Sequence, residues 1–326
     1  MKIERCWHSP LRFLLAPPAL FFGLISASRR SLYRAGLLRQ TRMPVPVIVV
    51  GNITAGGAGK TPLVAALARA LREAGMHPGI VSRGYGGNAP GPEAVHPKSD
   101  PARSGDEPVL LAARGFPVWI GRKRVEAALA LLSAEPECDI LIADDGLQHY
   151  ALARDFEIAV IDGSKGLGNG WLLPAGPLRE PPSRLDSVDA VVINSPSGAR
   201  IPDTPGVPRF DMFLGGTTFL NVDTLEAASP TRFEGLRVHA VAGIGNPERF
   251  FDRLASLGIG FVPHPFPDHH PYRASDLDFE NRDAVLMTEK DAVKCKGLAP
   301  GKCWFLPVEA EIDPRLLALL LKTLGK

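Results

Sequence analysis

The stretch PVPVIVVGNITAGGAGKTPLVAALARALREAG, residues 44–75, constrains this chain more than any other. Its first part, VPVIVVGN (45–52), is a short β-branched apolar run, the pattern of a strand buried in a parallel sheet. Its last part, TPLVAALARALREAG (61–75), has apolar residues at helical spacing and stops on Gly75. Between them lie Thr54, Ala55, Gly56, Gly57, Ala58, Gly59, Lys60 and Thr61. A phosphate-binding P-loop reads G-x-x-x-x-G-K-[ST] between a strand and a helix, so the context fits and Thr54 alone departs. Gly56, Gly57 and Gly59 let backbone N–H groups turn inward around phosphate oxygens, and the helix N-terminus adds its positive dipole end. Lys60 would reach the β- and γ-phosphates, and the Thr61 hydroxyl would coordinate Mg²⁺. Thr54 is farthest from the lysine, where a side chain is tolerable if φ is negative. Residues Thr54 to Thr61 are thus the candidate cradle, and a ligand-free glycine turn is the competing reading.

Further strands follow at α/β intervals: 77–84, 117–122, 138–149, 157–163 and 189–195, with helices expected over 107–115 and 124–135. This is the pattern of a doubly wound, mostly parallel sheet of P-loop NTPase type, with active residues at the carboxyl ends of its strands. From about residue 200 the pattern shifts. IPDTPGVP (201–208) reads as a linker. LRVHAVAGIGNPERF (236–250) reads as strand, glycine turn and helix, with Asn246 as N-cap and Pro247 first in the helix. DAVLMTEKDAVK (283–294) and CWFLPVEAEI (303–312) each give a further strand, and Asp313-Pro314 opens a closing helix. Three segments are expected: an N-terminal membrane-associated helix (1–35), a P-loop kinase domain (36–200) and a smaller α/β domain (201–326).

Asp144-Asp145 follows the apolar run ILIA, where a P-loop protein carries the acidic partner of its Mg²⁺. A turn carboxylate capping the next helix is the bland alternative. Asp106 in SGDEP opens a helix, and by itself reads equally as a helix-start carboxylate. Arg83 in SRGYGG ends a strand and could meet phosphate. FPDHHPY (266–272) puts Asp268, His269 and His270 in a polar, proline-bounded loop. Adjacent histidines are ordinary on surfaces, and no H-e-x-x-H pattern or cysteine partner supports zinc. A catalytic use would pair one of them with a carboxylate.

Composition narrows the partners. With 37 Lys+Arg against 35 Asp+Glu the net charge is +2, which implies no bulk affinity for nucleic acid. The four cysteines, Cys6, Cys138, Cys295 and Cys303, have no C-x-x-C or zinc spacing and suit a reducing compartment. The opening stretch is uneven: Lys2, Arg5, Arg12, Arg29, Arg30, Arg34, Arg39 and Arg42 face only Glu4. Between Arg12 and Arg29 runs FLLAPPALFFGLISAS, too short and too interrupted by Pro17-Pro18 to read as a membrane span. A signal peptide, a core helix and an interfacial anchor compete; the arginines flanking apolar residues favour the anchor.

Taken together, PVPVIVVGNITAGGAGKTP, SRGYGG, SGDEPVLLA, DDGLQH, GNGWLLPAGPLRE, SVDAVVIN, GIGNPERF, FPDHH and MTEKDAVK resemble the tetraacyldisaccharide 4′-kinase family, in order and over nearly the whole chain. Thr54 in place of glycine is similar to the family's own pattern. The resemblance implies transfer of the γ-phosphate of ATP to the 4′-hydroxyl of an acylated glucosamine disaccharide 1-phosphate, with Mg²⁺, at the cytoplasmic face of the inner membrane. It implies that Asp106 acts on the attacking hydroxyl with help from His269, beside Lys60, although His270 follows directly. It carries Asp144 and Asp145 to the metal, with Thr61, and leaves open which aspartate binds it. Gln148 and Arg179 are expected on the nucleotide side and Glu180 on the metal side. The oligomeric state is not legible; a monomer is the default expectation. Two other P-loop readings fare worse. A regulatory membrane-recruited ATPase of the partitioning type carries a signature lysine where Ala55 stands. A GTP switch needs N-K-x-D, and TEKD (288–291) has another order. A lipid-binding module without chemistry leaves Lys60, Thr61 and Asp145 without a use.

Overall fold

A computed structural model describes residues 4–195, 198 and 201–325. In chain order its strands are β1 (Val47–Gly51), β2 (Pro78–Ser82), β3 (Glu93–Val95), β4 (Val118–Ile120), β5 (Ile140–Asp144), β6 (Phe156–Asp162), β7 (Ala190–Asn194) and β8 (Arg209–Gly215). They continue with β9 (Phe219–Asn221), β10 (Ala227–Ala228), β11 (Val238–Ala242), β12 (Val262–Pro265), β13 (Ala284–Thr288), β14 (Cys303–Leu306) and β15 (Glu309–Ile312). The large sheet runs β15-β8-β7-β6-β1-β5-β2-β4-β3 and the small one β10-β9-β14-β13-β11-β12. In the large sheet only the edge strands β3 and β15 are antiparallel to their neighbours.

β1 lies between β5 and β6 and is buried on both faces. Ile48 and Val50 join one core with Leu63, Leu67 and Leu71 of the helix Lys60–Glu73, while Val47 and Val49 join the other with Leu131 of the helix Arg124–Ala134. The period-two split is what a strand covered by helices on both sides must show. Each fully buried leucine here contributes about 1.5–3 kcal/mol. Gly75, at φ +85°, ends the helix after the loop as expected.

The sheets do not part at residue 200. β8, past the proline-rich stretch, pairs with β7 in the large sheet, and β15 pairs with β8. CWFLPVEAEI, expected as one strand, is two: β14 in the small sheet and β15 in the large one, divided at Pro307-Val308. Proline lacks the N–H that a continuous ladder needs there. The closing helix Pro314–Thr323 buries Leu316 and Leu320 in the large domain's core. β12, with sequence VPHP, went unexpected because of its prolines; at the edge of the small sheet they are tolerated. The helix Glu248–Ser256 takes Pro247 as N-cap with no side-chain cap bond, so Asn246 sits one residue before the expected position.

At the N-terminus a 3₁₀ turn (Pro10–Leu15) leads into the helix Ala16–Arg34. Pro17 and Pro18 lie in its first turn, where a missing N–H is no loss, so they start the helix and do not break it. Pro10–Arg34 is long and apolar enough to cross a membrane, by length and composition alone. Only Ala19 is buried along Ala16–Arg34, whereas Leu20, Phe21, Leu24 and Ile25 are exposed, which sets aside the core-helix reading. Of the basic residues in this stretch, Lys2 lies outside the described residues. The helix rests on segment 169–178: a Cβ on Gly23 would come within 2.6 Å of Leu172, and Phe13 meets Trp171 edge-on at 6.0 Å.

Candidate active site

The loop Thr54–Thr61 leaves the carboxyl end of β1, in the middle of the large sheet. Gly56 and Gly59 take φ of +106° and +89°, conformations a side chain would strain. Thr54 is not among the residues of positive φ, so its Cβ is harmless. The loop is braced from both sides. Ala55 N donates to Pro177 O at 2.7 Å, and Arg179 N donates to Ile53 O at 2.7 Å. Asn194, at the end of β7, donates from Nδ2 to Ala58 O at 3.0 Å, and a Cβ on Gly59 would fall 2.4 Å from that nitrogen. Asn52 Nδ2 reaches Thr54 Oγ1 and Gly56 O, both at 3.3 Å, while its Oδ1 accepts from Lys60 Nζ at 3.2 Å. Neither asparagine was singled out from the sequence. Each lies at the carboxyl end of an apolar strand, Asn52 just after β1 and Asn194 at the end of β7, a position that could have pointed to them.

Asp144 ends β5, in register with Val50 of β1, and Asp145 follows it in a turn. The two carboxylates differ sharply. Asp145, at φ +50°, pairs with Arg179 Nη1 at 3.0 Å and Lys60 Nζ at 3.5 Å. Burial opposes its charge, but Lys60 and Arg179 outweigh burial and hold it below the usual carboxylate range. Asp144 is fully enclosed, and burial, with the charge of Glu107 adding, pushes it up to about 7. Its Oδ2 accepts from Ser82 Oγ at 3.4 Å, and its Oδ1 is buried without a partner. An orphaned carboxylate oxygen beside a phosphate loop fits a hard cation such as Mg²⁺, which takes one or two carboxylates and fills its shell with phosphate oxygens and water. Among the described residues no closed cage of three or more His, Cys, Asp or Glu is present.

Gln148 and Glu180 come together, but Glu180 is committed. It accepts from Tyr150 Oη and, at 3.0 Å, from Gln148 Nε2, with Arg184 Nε at 3.7 Å. In this arrangement Glu180 orients Gln148, which also donates to Asn52 O at 3.1 Å, and so supports the loop from beneath. His149, last in DDGLQH, is lowered to about 4 by burial and by Arg124, and accepts from Arg124 N at 3.2 Å, a neutral ring with a structural task.

The second half of the site draws on a helix beside the large sheet and on segments of the small sheet. Asp106 is the first residue of the helix Asp106–Ala113 and is buried. Gly105 before it has φ +87°, and a Cβ there would strike Tyr85 O at 2.5 Å. His269, at φ +60°, brings Nδ1 to 3.1 Å from Asp106 Oδ2. His270 turns away to Asp276, 3.1 Å from its Nε2, so only the first histidine meets the carboxylate. Burial opposes the charge of Asp106, but the bond from His269 and the charges of Lys294 and Lys290 hold it below the usual range. Beside this pair opens a pocket of about 340 Å³ lined by Arg83, Tyr85, Arg122 and a run of glycines. The Tyr85 ring lies 5.6 Å from that of His269. Lys290 and Lys294 went unnoticed in the sequence, where they are two ordinary lysines of a short helix.

A glycine cradle at a helix N-terminus, a lysine and two strand-end aspartates define a P-loop nucleotide-binding protein of the α/β class. Comparison with known proteins narrows this. The family model for tetraacyldisaccharide-1-P 4′-kinase matches residues 11–325. The tetraacyldisaccharide 4′-kinase of Azoarcus sp. is 56% identical over 310 residues, covering 94% of this chain and 90% of that protein. That of Chromobacterium violaceum is 50% identical over 332 residues, covering 99% and 97%. The crystal structure of LpxK from Aquifex aeolicus in complex with ATP superposes with a TM-score of 0.85 at 31% identity, over 96% of this chain and 99% of that one. The chain belongs to the tetraacyldisaccharide-1-P 4′-kinase family.

Proposed function

We propose that the protein transfers the γ-phosphate of ATP to the 4′-hydroxyl of tetraacyldisaccharide 1-phosphate, with the two halves of the site dividing the labour. The N–H groups of residues 56–61 and the Lys60 ammonium hold the β- and γ-phosphates, while the Ala55 N–H stays with Pro177 O. Thr61 and Asp144 are the groups that would hold Mg²⁺, with Asp145 orienting its shell; the ion supplies charge neutralisation across the phosphates. Arg179 is released from Asp145 to the phosphates when nucleotide enters, and Gln148 buttresses the loop.

The acceptor hydroxyl lies against Asp106. Its oxygen bonds to the γ-phosphorus as the bond from that phosphorus to the bridging oxygen of ADP breaks, and its proton passes to the Asp106 carboxylate. His269 fixes the orientation of that carboxylate. The pocket of about 340 Å³ between Tyr85 and Arg122 has the size and polarity for a sugar ring next to the pair. The observation that carries this reading is the Asp106–His269 contact, a carboxylate-imidazole pair placed by two domains in a family of sugar-hydroxyl kinases.

The exposed face of Ala16–Arg34, with Leu20, Phe21, Leu24 and Ile25, lies on a membrane surface, and Arg29, Arg30 and Arg34 meet anionic headgroups. The lipid's acyl chains then stay in the bilayer while its sugar reaches the site. Use of ATP supports the cytoplasmic face of the inner membrane as the place where this happens. The reading is tested with γ-labelled ATP, Mg²⁺ and tetraacyldisaccharide 1-phosphate in detergent. Label in the lipid supports it; free phosphate with unlabelled lipid refutes it. For the membrane part, removal of residues 1–34 should lower co-sedimentation with anionic vesicles while ATP still binds. Undiminished co-sedimentation would contradict it.

A further inference from the structure

Two fully buried asparagines hold the phosphate loop by its carbonyls. Asn52 donates from Nδ2 to Gly56 O at 3.3 Å, and Asn194 donates from Nδ2 to Ala58 O at 3.0 Å. Each amide has one workable orientation. Lys60 Nζ, which can only donate, faces Asn52 Oδ1 at 3.2 Å, and the Ser195 hydroxyl donates to Asn194 Oδ1 at 3.1 Å. A trans peptide is planar and sets its C=O and the following N–H in opposite directions. The two held carbonyls therefore aim the N–H groups of Gly57 and Gly59 away from the asparagines. Neither N–H has a hydrogen-bond partner among the described residues. Nothing local fixes these two peptide planes. Gly57 has no positive φ, and a Cβ there would meet nothing within 4 Å among the described residues. Pro62, four residues after Ala58, has no N–H to give to Ala58 O.

We infer that Asn52 and Asn194 are positioning residues that preset two of the loop's phosphate-binding donors, the N–H groups of Gly57 and Gly59. Glycine backbones turn easily, so a peptide plane between glycines is free to flip unless something outside the loop holds it. A donor already aimed needs no reorganisation when a phosphate oxygen arrives, and less binding energy is lost in ordering it. The two asparagines come from different strands, so each plane is held from the sheet and not by the loop itself. Asn52 has a second use, because its Oδ1 also faces Lys60 Nζ. Thr54 fits the same scheme. Its Oγ1 accepts from Asn52 Nδ2 at 3.3 Å, so the hydroxyl that replaces the first P-loop glycine helps to keep the Asn52 amide the right way round. The close approach of Asn194 Nδ2, 2.4 Å from where a Cβ on Gly59 would lie, adds to its positive φ as a reason for glycine there.

These roles rest on the loop being the phosphate site, and the test separates the two. Full-length wild type, Asn52→Ala and Asn194→Ala, labelled with ¹⁵N-glycine, are titrated in detergent with Mg²⁺-ATP and with tripolyphosphate, which has no nucleoside. Each variant should bind both ligands about 10-fold more weakly, by the same factor, as expected when one bond to a charged phosphate is no longer preset. In the wild type both ligands should move the Gly57 and Gly59 amide signals. Asn52→Ala should diminish the shift of Gly57 and spare Gly59, and Asn194→Ala should do the reverse. An unchanged affinity for tripolyphosphate, or glycine shifts that change alike or not at all in both variants, would overturn the inference. Asn52→Ala is also made in a Lys60→Met background. A further loss of about 10-fold supports a role on the loop itself, whereas no further loss would show that Asn52 acts only through the lysine. Where an alanine variant does not fold, Asn52→Ser or Asn194→Ser, polar but too short to reach the loop carbonyl, takes its place. If the wild type itself shows no shift at either glycine, the loop is not the phosphate site and the proposed function fails with it. A responsive wild type with unaltered variants defeats the asparagine roles alone.

Discussion

The two halves of the active site are built on different principles. The nucleotide half is one short loop on the central strand of one sheet, braced by Asn52, Asn194 and segment 176–180, with its lysine held 3.2 Å from Asn52. The acceptor half is assembled from three segments distant in sequence, around Asp106, His269 and Lys290–Lys294. A cradle for phosphate can be local because backbone N–H groups and a helix dipole do most of the binding. A base for a sugar hydroxyl cannot, because its ionisation has to be set by charges that one helix start does not supply. The lesson is that phosphate binding and proton acceptance should be separable by mutation.

The largest effect expected is from Lys60→Met, which removes the charge aimed at the transferring phosphate and should lower kcat by about 10³-fold, with weaker ATP binding. A mild effect in steady-state assays would show that the loop is not the catalytic cradle. Asp106→Asn should cost about 10²–10⁴-fold in kcat while the KM for ATP holds, since general-base catalysis has that size. Comparable damage to both constants would erase the distinction between the halves. Gly59→Ala should come next. At φ +89° and 2.4 Å from Asn194 Nδ2, the new Cβ should displace the loop, cost about 1–3 kcal/mol in thermal unfolding and reduce ATP affinity measured by titration calorimetry. Full retention of affinity would mean the loop adjusts without cost. His270→Ala should be the smallest, below about 2-fold in kcat, because its ring is turned to Asp276 and stacks near Phe266 and Tyr272. A loss matching that of His269→Ala would make the two histidines a joint device.

The same contrast governs what the sequence reveals. The strand, loop and helix of residues 45–75 were legible because every constraint is local: β-branched run, glycines, Lys-Thr and helical spacing. Asp145 was legible as a strand-end carboxylate. Asp106 read equally well as a helix start, and only the family resemblance raised it, because its partners lie 163 and more residues away. Lys290 and Lys294 lie in MTEKDAVK, a stretch that contributed to the family resemblance, but nothing local set either lysine apart. In the fold, CWFLPVEAEI read as one strand because the apolar CWFL and the alternating VEAEI adjoin; that Pro307-Val308 hands the chain from one sheet to the other is a tertiary fact. Glu180, expected beside the metal, is bonded by Tyr150 and Gln148, partners that spacing along the chain did not indicate.

The most direct test of the separation is to measure, on one preparation each of Asp106→Asn and Lys60→Met, ATP affinity by calorimetry and single-turnover transfer to tetraacyldisaccharide 1-phosphate. The account predicts that Asp106→Asn binds ATP as the wild type does and transfers almost none, while Lys60→Met is impaired in both. Loss of ATP binding in Asp106→Asn, or near-normal transfer by it, would contradict the account.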